Sequence, residues 1–324
     1  MCYYQYHGRG DLVKTPGSND LKNKNSLLLE QHEHVLDCAD AVATMDDPGV
    51  NVPLHSSCVA PAFDMNVHSG NDLISKRIRT WGCFECAILN KFMQFMAAQT
   101  PSDTFFLDIG ANIGMYSLHA AALGRDVFSF EPFQRNYQRL CKSISMNQGF
   151  EERIVVFNVA LMDHPTTVDF GKVSNKNYGG VGVNPEDDSQ DKESSSSTPV
   201  RGLDYAPGVP LSSLETILPV NRPAVIKINV EGSECRVLGG AIDYLNTLDI
   251  LYVEIEWSPS MKTCEHTEEI FKLFQKNGLS PYQYHYIQDV WKPINVTEWL
   301  QWHNHWFIEN VLKYSLIDIA WIRE

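Results

Sequence analysis

The sequence predicts an α/β fold: a doubly wound, mostly parallel, seven-stranded sheet with helices on both faces. Three observations predict it. From residue 104 onward, short apolar runs alternate with stretches of helical period. The runs are apolar almost throughout, as strands covered on both faces must be. The first run feeds a glycine turn, Gly110-Ala111-Asn112-Ile113-Gly114, that opens the next helical stretch.

Residues 1–71 are polar and show no clear period, which predicts an irregular, partly disordered N-terminal segment; residues 72–324 form the α/β domain. Residues 72–99 read as one helix, with Ile74, Ile78, Trp81, Ile88, Phe92 and Phe95 recurring at helical spacing until Pro101 stops it. Strands are expected over 104–109, 126–130, 153–159, 224–230 and 250–257, with helices over 115–123, 134–146 and 234–245 between them. A short extra strand falls at 167–170. A helix over 265–276 and strands over 282–287 and 317–322 complete the domain. Residues 184–210 interrupt the alternation with Asp187, Asp188, Asp191, Glu193 and a run of serines. That composition predicts a low-complexity surface insertion, and the alternative is a lid that orders over substrate.

The formal net charge is -14, which opposes phosphate backbones and anionic membranes, so no nucleic-acid partner is expected. No apolar stretch reaches the roughly 18 residues of a membrane span. The start lacks the order of a signal peptide, so the expectation is a soluble, cytoplasmic protein. Eight cysteines in so long a chain do not read as a disulfide scaffold, and Cys83 and Cys86 are expected to be ordinary thiols. Neither they nor His32 and His34 have the further ligands of a metal site, so no metal is expected. Asn295-Val296-Thr297 fits a glycosylation acceptor, a short motif that also arises by chance.

The chemistry concentrates at three strand ends. Gly110 lets the backbone approach a ligand closely. The turn departs from the dinucleotide pattern G-x-G-x-x-G, and Asp108 beside it would repel a pyrophosphate while attracting an ammonium or sulfonium group. Glu131 ends the second strand, where a carboxylate accepts both hydroxyls of a ribose. The fourth strand places Lys227, Asn229 and Glu231 at alternate positions at its C-terminal end, where open α/β sheets bind ligands. A buried lysine there requires a partner, and a structural ion pair is the alternative role of Lys227.

Taken in order, several motifs resemble the FkbM-type methyltransferases, a branch of the class I S-adenosylmethionine-dependent enzymes with a Rossmann-like sheet. These are Leu107-Asp108-Ile109-Gly110-Ala111-Asn112-Ile113-Gly114, Phe130-Glu131-Pro132, Val159-Ala160-Leu161, Lys227-Ile228-Asn229-Val230-Glu231-Gly232-Ser233-Glu234, Val237-Leu238-Gly239-Gly240-Ala241 and Val253-Glu254-Ile255. Trp81-Gly82 with Glu85 resembles the segment before the family's cofactor site. The resemblance covers about residues 72–324. It implies S-adenosyl-L-methionine as cofactor. It also implies that Asp108, Gly110, Asn112 and Gly114 line the methionine end, Glu131 the ribose and Ala160 the adenine, while Asn229 and Glu231 face the methyl group and the acceptor. Where the family usually has Lys-Ile-Asp, this chain has Lys227-Ile228-Asn229, which keeps the shape and loses the charge.

A hydroxyl acceptor needs its proton removed as it attacks, and Glu231 is the first candidate base, with a helix N-terminal carboxylate as its alternative role. His119 and His164 are weaker candidates. Trp291, Trp299, Trp302, Trp306 and Trp321, with Tyr282, Tyr284 and Tyr286, suit either sugar stacking or a buried stripe. The resemblance implies O-methylation of a sugar or natural-product hydroxyl. A catalytically weak binding or regulatory protein is the alternative that Asn229 raises, and a nicotinamide-dependent oxidoreductase is opposed by the missing third glycine.

Overall fold

The computed structural model describes residues 38–55, 60–98, 103–170, 178, 180–182, 184–185, 203–257, 261, 263–285, 287–295 and 317–323. His32 and His34, most of the acidic insertion, Tyr286 and the stripe of Trp299, Trp302 and Trp306 lie outside them.

The segment before residue 72 is more regular than its composition predicts. It contains helix α1 (Cys38–Ala43) and an antiparallel pair, β1 (Val50–Leu54) and β2 (Phe63–Val67). Phe63, Met65 and Val67 are buried, so the pair has the apolar face that a docked hairpin needs. The helix expected over 72–99 is two helices, α2 (Leu73–Trp81) and α3 (Cys86–Ala98). Asp72 caps α2 by accepting from the Ser75 N–H at 2.8 Å, and Gly82 ends it at φ +76°. Periodicity alone does not show this break because the apolar positions resume in phase after it.

Next come β3 (Phe105–Ile109), α4 (Met115–Ala122), β4 (Asp126–Phe130), α5 (Gln134–Met146) and β5 (Ile154–Phe157). A side sheet follows, made of β6 (Ala160–Leu161), β7 (Thr166–Asp169), β8 (Asn184–Pro185) and β9 (Tyr205–Val209). β8 and β9 fall inside the expected insertion, so its two ends are strands; Ala206 is buried and anchors β9. The chain then forms β10 (Pro223–Ile228), α6 (Glu234–Leu245), β11 (Asp249–Trp257), α7 (Thr267–Lys276), β12 (Leu279–His285), β13 (Val290–Pro293) and β14 (Ile317–Arg323).

The main sheet has eight strands in the order β13-β12-β14-β11-β10-β3-β4-β5, one more than expected, because β12 turns back into the β13 hairpin. β11, β10, β3, β4 and β5 are parallel, and β14, β12 and β13 extend the sheet antiparallel. Alternate residues of each parallel strand enter different cores. Phe105, Leu107 and Ile109 pack with Val237 and Phe271 of α6 and α7, while Phe106 packs with Phe92, Leu118 and Leu140 of α3, α4 and α5. Each fully buried side chain of this size contributes about 1.5–3 kcal/mol. The alternation therefore fixes the register, and with it the face on which Asp108 emerges.

The cysteines correct the expectation of thiols. Among the described residues they pair as Cys38–Cys141, Cys83–Cys86 and Cys235–Cys264, and none is free. The first pair forms because α1 packs across α5, which brings the two Cα atoms to 5.0 Å. The spacing of cysteines in a sequence does not reveal such a meeting. The loop it closes is long, 103 residues in separation, so the paired Cys38→Ser, Cys141→Ser variant is expected to lose about 2–4 kcal/mol of stability. Urea unfolding of both proteins checks this; equal midpoints would refute it.

Candidate active site

β4 and β5 follow β3 on one side, and β10 lies on the other, so the strand order reverses between β3 and β10. Open α/β sheets bind ligands at the carboxyl ends of the strands beside such a reversal. A cavity of about 290 Å³ opens there. Lys227, Asn229, Glu231, Glu85, Asp108, Gly110, Asn112, Glu131 and Ala160 all line it. Gly114 does not belong to the lining. A Cβ at that position would lie 2.3 Å from Leu140 Cδ1, so the glycine lets α4 approach α5 at φ +90°.

Parallel register sets Ser129, Asp108, Lys227 and Glu254 side by side on β4, β3, β10 and β11. This polar row crosses an otherwise apolar sheet. Ser117 of α4 donates to Asp108 Oδ2 at 2.5 Å and is 2.7 Å from the Ser129 hydroxyl. The other oxygen of Asp108, Oδ1, is buried with no hydrogen-bond partner. Burial pushes the Asp108 carboxyl above its ordinary range, and Lys227 opposes that shift. Lys227 is itself buried, with Nζ 4.9 Å from the centroid of the Tyr116 ring.

The glycine turn is held from both sides. The N–H groups of Gly110 and Ala111 both donate to the Phe130 carbonyl at 3.0 Å. Asn112, at φ +54°, donates from its N–H to Glu131 Oε2 at 2.8 Å and accepts at Oδ1 from the Ile113 N–H. Glu131 Oε1 accepts from the Phe133 N–H at 3.0 Å. One carboxylate thus ties the first glycine turn to the start of α5. Burial pushes Glu131 up to about 7, against the lowering effect of the Phe133 and Asn112 N–H groups.

Glu231 sits at φ +53° in the turn after β10. Its alternative role, stabilising the helix N-terminus, belongs to Glu234, whose Oε1 accepts from the N–H groups of Val230 and Gly232 at 3.3 and 3.1 Å. Burial raises the Glu231 pKa, with the Glu234 charge adding to the shift. The other candidate bases lie elsewhere. His119 Nδ1 is 2.7 Å from the Met115 carbonyl oxygen, its ring packs edge-on against Phe63, and burial lowers it to about 4. His164 is half exposed beside Asp163. Neither lines the cavity.

A family model, the methyltransferase FkbM domain, matches residues 108–281, more than half of the chain. The chain belongs to the FkbM methyltransferase family. This is a family of S-adenosylmethionine-dependent methyltransferases on a Rossmann-like fold, as the sheet shows. Among solved structures, the FkbM methyltransferase of Methylobacillus flagellatus KT is similar at 17% identity and a TM-score of 0.41, over 69% of this chain and 45% of that one. The chain thus spans less than half of that protein's length. A methyltransferase of Agrobacterium tumefaciens is similar at 11% identity and a TM-score of 0.38, over 85% of this chain and 71% of that one. Human methyltransferase 10 domain containing protein is similar at 9% identity and a TM-score of 0.32, over 96% and 99% of the two chains. No curated protein sequence matches the chain.

The FkbM domain also contains site residues that sequence reasoning missed. Glu256, on β11, lines the cavity, and its Oε2 is buried with no hydrogen-bond partner. Glu254, two residues earlier on the same face, accepts from the Tyr252 hydroxyl at 2.8 Å. Burial pushes both carboxyls to about 8; Glu231 adds to the shift of Glu256, and Lys227 opposes that of Glu254. Their signal was present in Tyr252-Val253-Glu254-Ile255-Glu256, an alternation of polar groups within a strand otherwise too apolar to be exposed. Glu85, from the turn between α2 and α3, is pushed to about 7, first by burial and then by Asp318. Among the described C-terminal aromatics, Trp321 is buried and Tyr284 meets Trp291 edge-on at 5.2 Å; neither they nor Tyr282 line the cavity. No group of acidic, histidine or cysteine side chains among the described residues is arranged to hold a metal ion, and no described helix is long and apolar enough to cross a membrane.

Proposed function

We propose that this FkbM protein binds S-adenosyl-L-methionine at the β3–β10 crevice and methylates a hydroxyl of a sugar, glycan or small natural-product acceptor. The observation behind this reading is that Asp108 and Glu131 share one cavity with Lys227, Asn229 and Glu231. The residues fit the cofactor. The unpartnered, buried Oδ1 of Asp108 suits an ammonium group, and the Glu131 carboxylate, already oriented by two N–H groups, has lone pairs left for ribose hydroxyls. Ala160, past β5, is the wall proposed for the adenine. Gly110 and Asn112 shape the turn beside the methionine end, and Glu85 lines the same cavity from the α2–α3 turn, within the field of Lys227 and Glu231.

When bound, S-adenosylmethionine supplies a methyl group already activated by its sulfonium. The chain's own residues then have two tasks. They hold the acceptor oxygen in line, worth several kcal/mol of barrier in general terms, and they take the hydroxyl proton. Glu231 is the proposed base, with Asn229 donating a hydrogen bond to the acceptor and Lys227 opposing the upward shifts that burial imposes on Asp108, Glu231 and Glu254. The acidic chain, at -14, disfavours a nucleic-acid acceptor.

Titration calorimetry with S-adenosylmethionine tests the reading. The expected result is micromolar binding that Glu131→Ala weakens by about 10–100-fold, equivalent to about 1.4–2.8 kcal/mol. No binding to a folded wild type would sink it. The second reading, a catalytically weak binding protein, is favoured by Asn229 alone. It predicts intact cofactor binding and no methylated product, with no S-adenosylhomocysteine formed, from any sugar or phenol in a hydroxyl panel. Formation of that product with any one of them rejects it.

A further inference from the structure

We infer that this chain matures in an oxidising, secretory-type compartment and is N-glycosylated at Asn295. Two independent observations meet in this inference. The first is the complete pairing of the described cysteines. Cys38–Cys141 and Cys235–Cys264 join segments 103 and 29 residues apart, and Cys83–Cys86 closes the turn that carries Glu85. Three such pairs persist where the surroundings are oxidising, whereas a cytosolic thiol pool keeps cysteines reduced. The second is Asn295-Val296-Thr297, the one Asn-x-Ser/Thr tripeptide of the whole sequence. Asn295 is exposed just past β13, the outermost strand of the main sheet, and does not line the β3–β10 cavity. An oligosaccharide there leaves the residues that line the cavity untouched.

The chemistry balances in both steps. Each thiol pair gives up two electrons and two protons by exchange with a protein disulfide oxidant of that compartment, whose own disulfide is reduced to two thiols. At Asn295 the side-chain amide nitrogen bonds to the anomeric carbon of a lipid-pyrophosphate-linked oligosaccharide. The amide loses one proton, and the lipid pyrophosphate leaves. Such a compartment differs from the cytoplasmic setting expected from the sequence. In such a compartment the acceptor hydroxyls that the protein meets are those of glycans and secreted molecules, a consequence that rests on the function proposed above; the inference itself does not.

Mass spectrometry of the protein isolated from the cells that make it tests the inference. The sample is alkylated under denaturing conditions without reductant, then digested, and half is treated with peptide-N-glycosidase in 18O water. The expected tryptic result is two disulfide-linked peptide pairs, 38–141 and 235–264, one peptide that holds the 83–86 disulfide internally, and an 18O-labelled aspartate at position 295 in place of the asparagine. Alkylated cysteines at the six positions, or an unmodified Asn295, would overturn it. S-adenosylmethionine titration of the same material reports separately on the methyltransferase reading, so either can fail without the other.

Discussion

Gly110→Ala is expected to abolish detectable cofactor binding and to destabilise the fold by about 3 kcal/mol or more. Gly110 sits at φ +79°, and a Cβ there would lie 1.8 Å from the Asn229 carbonyl oxygen. That oxygen belongs to the end of β10, so relief requires β3 and β10 to part at the point where the cavity opens. The loss of affinity should exceed about 100-fold, or about 2.8 kcal/mol. Gly124→Ala is the matched control. Gly124 has nearly the same φ, +78°, but open space around it, so only the backbone strain of about 1–2 kcal/mol applies and binding should survive. Calorimetry and urea unfolding of the two variants separate the effects. A Gly110→Ala protein that binds like wild type would show that the turn is not the cofactor's cradle.

Between pH 6.5 and 8 the cofactor-free protein is expected to become less stable, by on the order of 3 kcal/mol. Glu254 and Glu256 are pushed to about 8, and Glu85 and Glu131 to about 7, all from an ordinary 4.5. The unfolded chain has released these protons by pH 6.5, whereas the folded chain still holds many of them. The folded state therefore binds more protons in this window, and stability falls as pH rises. Below pH 6.5 the buried His119, lowered to about 4, acts in the opposite sense, so the slope is clean only above that value. Urea midpoints at pH 6.5, 7.25 and 8 measure it. Glu256→Gln removes one of the two largest contributions and should flatten the curve. A wild-type profile that is flat or rising would mean that the carboxylates are ionised throughout.

The parallel sheet and the glycine turn were legible because their signals are local. An apolar run, a glycine at a tight turn and an acid at a strand end need no knowledge of distant residues. Asp108 and Glu131 were found for that reason, and so was Lys227, whose place in an apolar strand demands carboxylate neighbours. What was not legible depends on contacts far apart in sequence. The hairpin β1–β2 looked irregular because Asn51, Asp64 and Asn66 interrupt its apolar residues. Their partners lie on α5: Arg139 donates to Asn66 Oδ1 at 2.9 Å and to Asp47 Oδ2 at 2.8 Å, and Ser143 accepts from the Asn66 N–H. His68 Nε2 lies 2.9 Å from Oδ1 of Asn136, a residue of the cavity wall. The disulfides and the Glu231–Glu234 division of roles were hidden in the same way. Neighbouring acids in one motif cannot be sorted until the structure shows that Glu234, not Glu231, accepts from the turn N–H groups of Val230 and Gly232.

The long reach between the N-terminal hairpin and α5 also sets an order of events during synthesis. At about 5–20 residues per second, the 103 residues that separate Cys38 from Cys141 take roughly 5–20 s to emerge. Throughout that interval Cys38 lacks Cys141, and Cys58, Cys83 and Cys86 emerge as nearer cysteines. Cys83 and Cys86 are removed from that competition when they close on each other, which their short loop favours. The segment made earliest is therefore the last to lock onto α5.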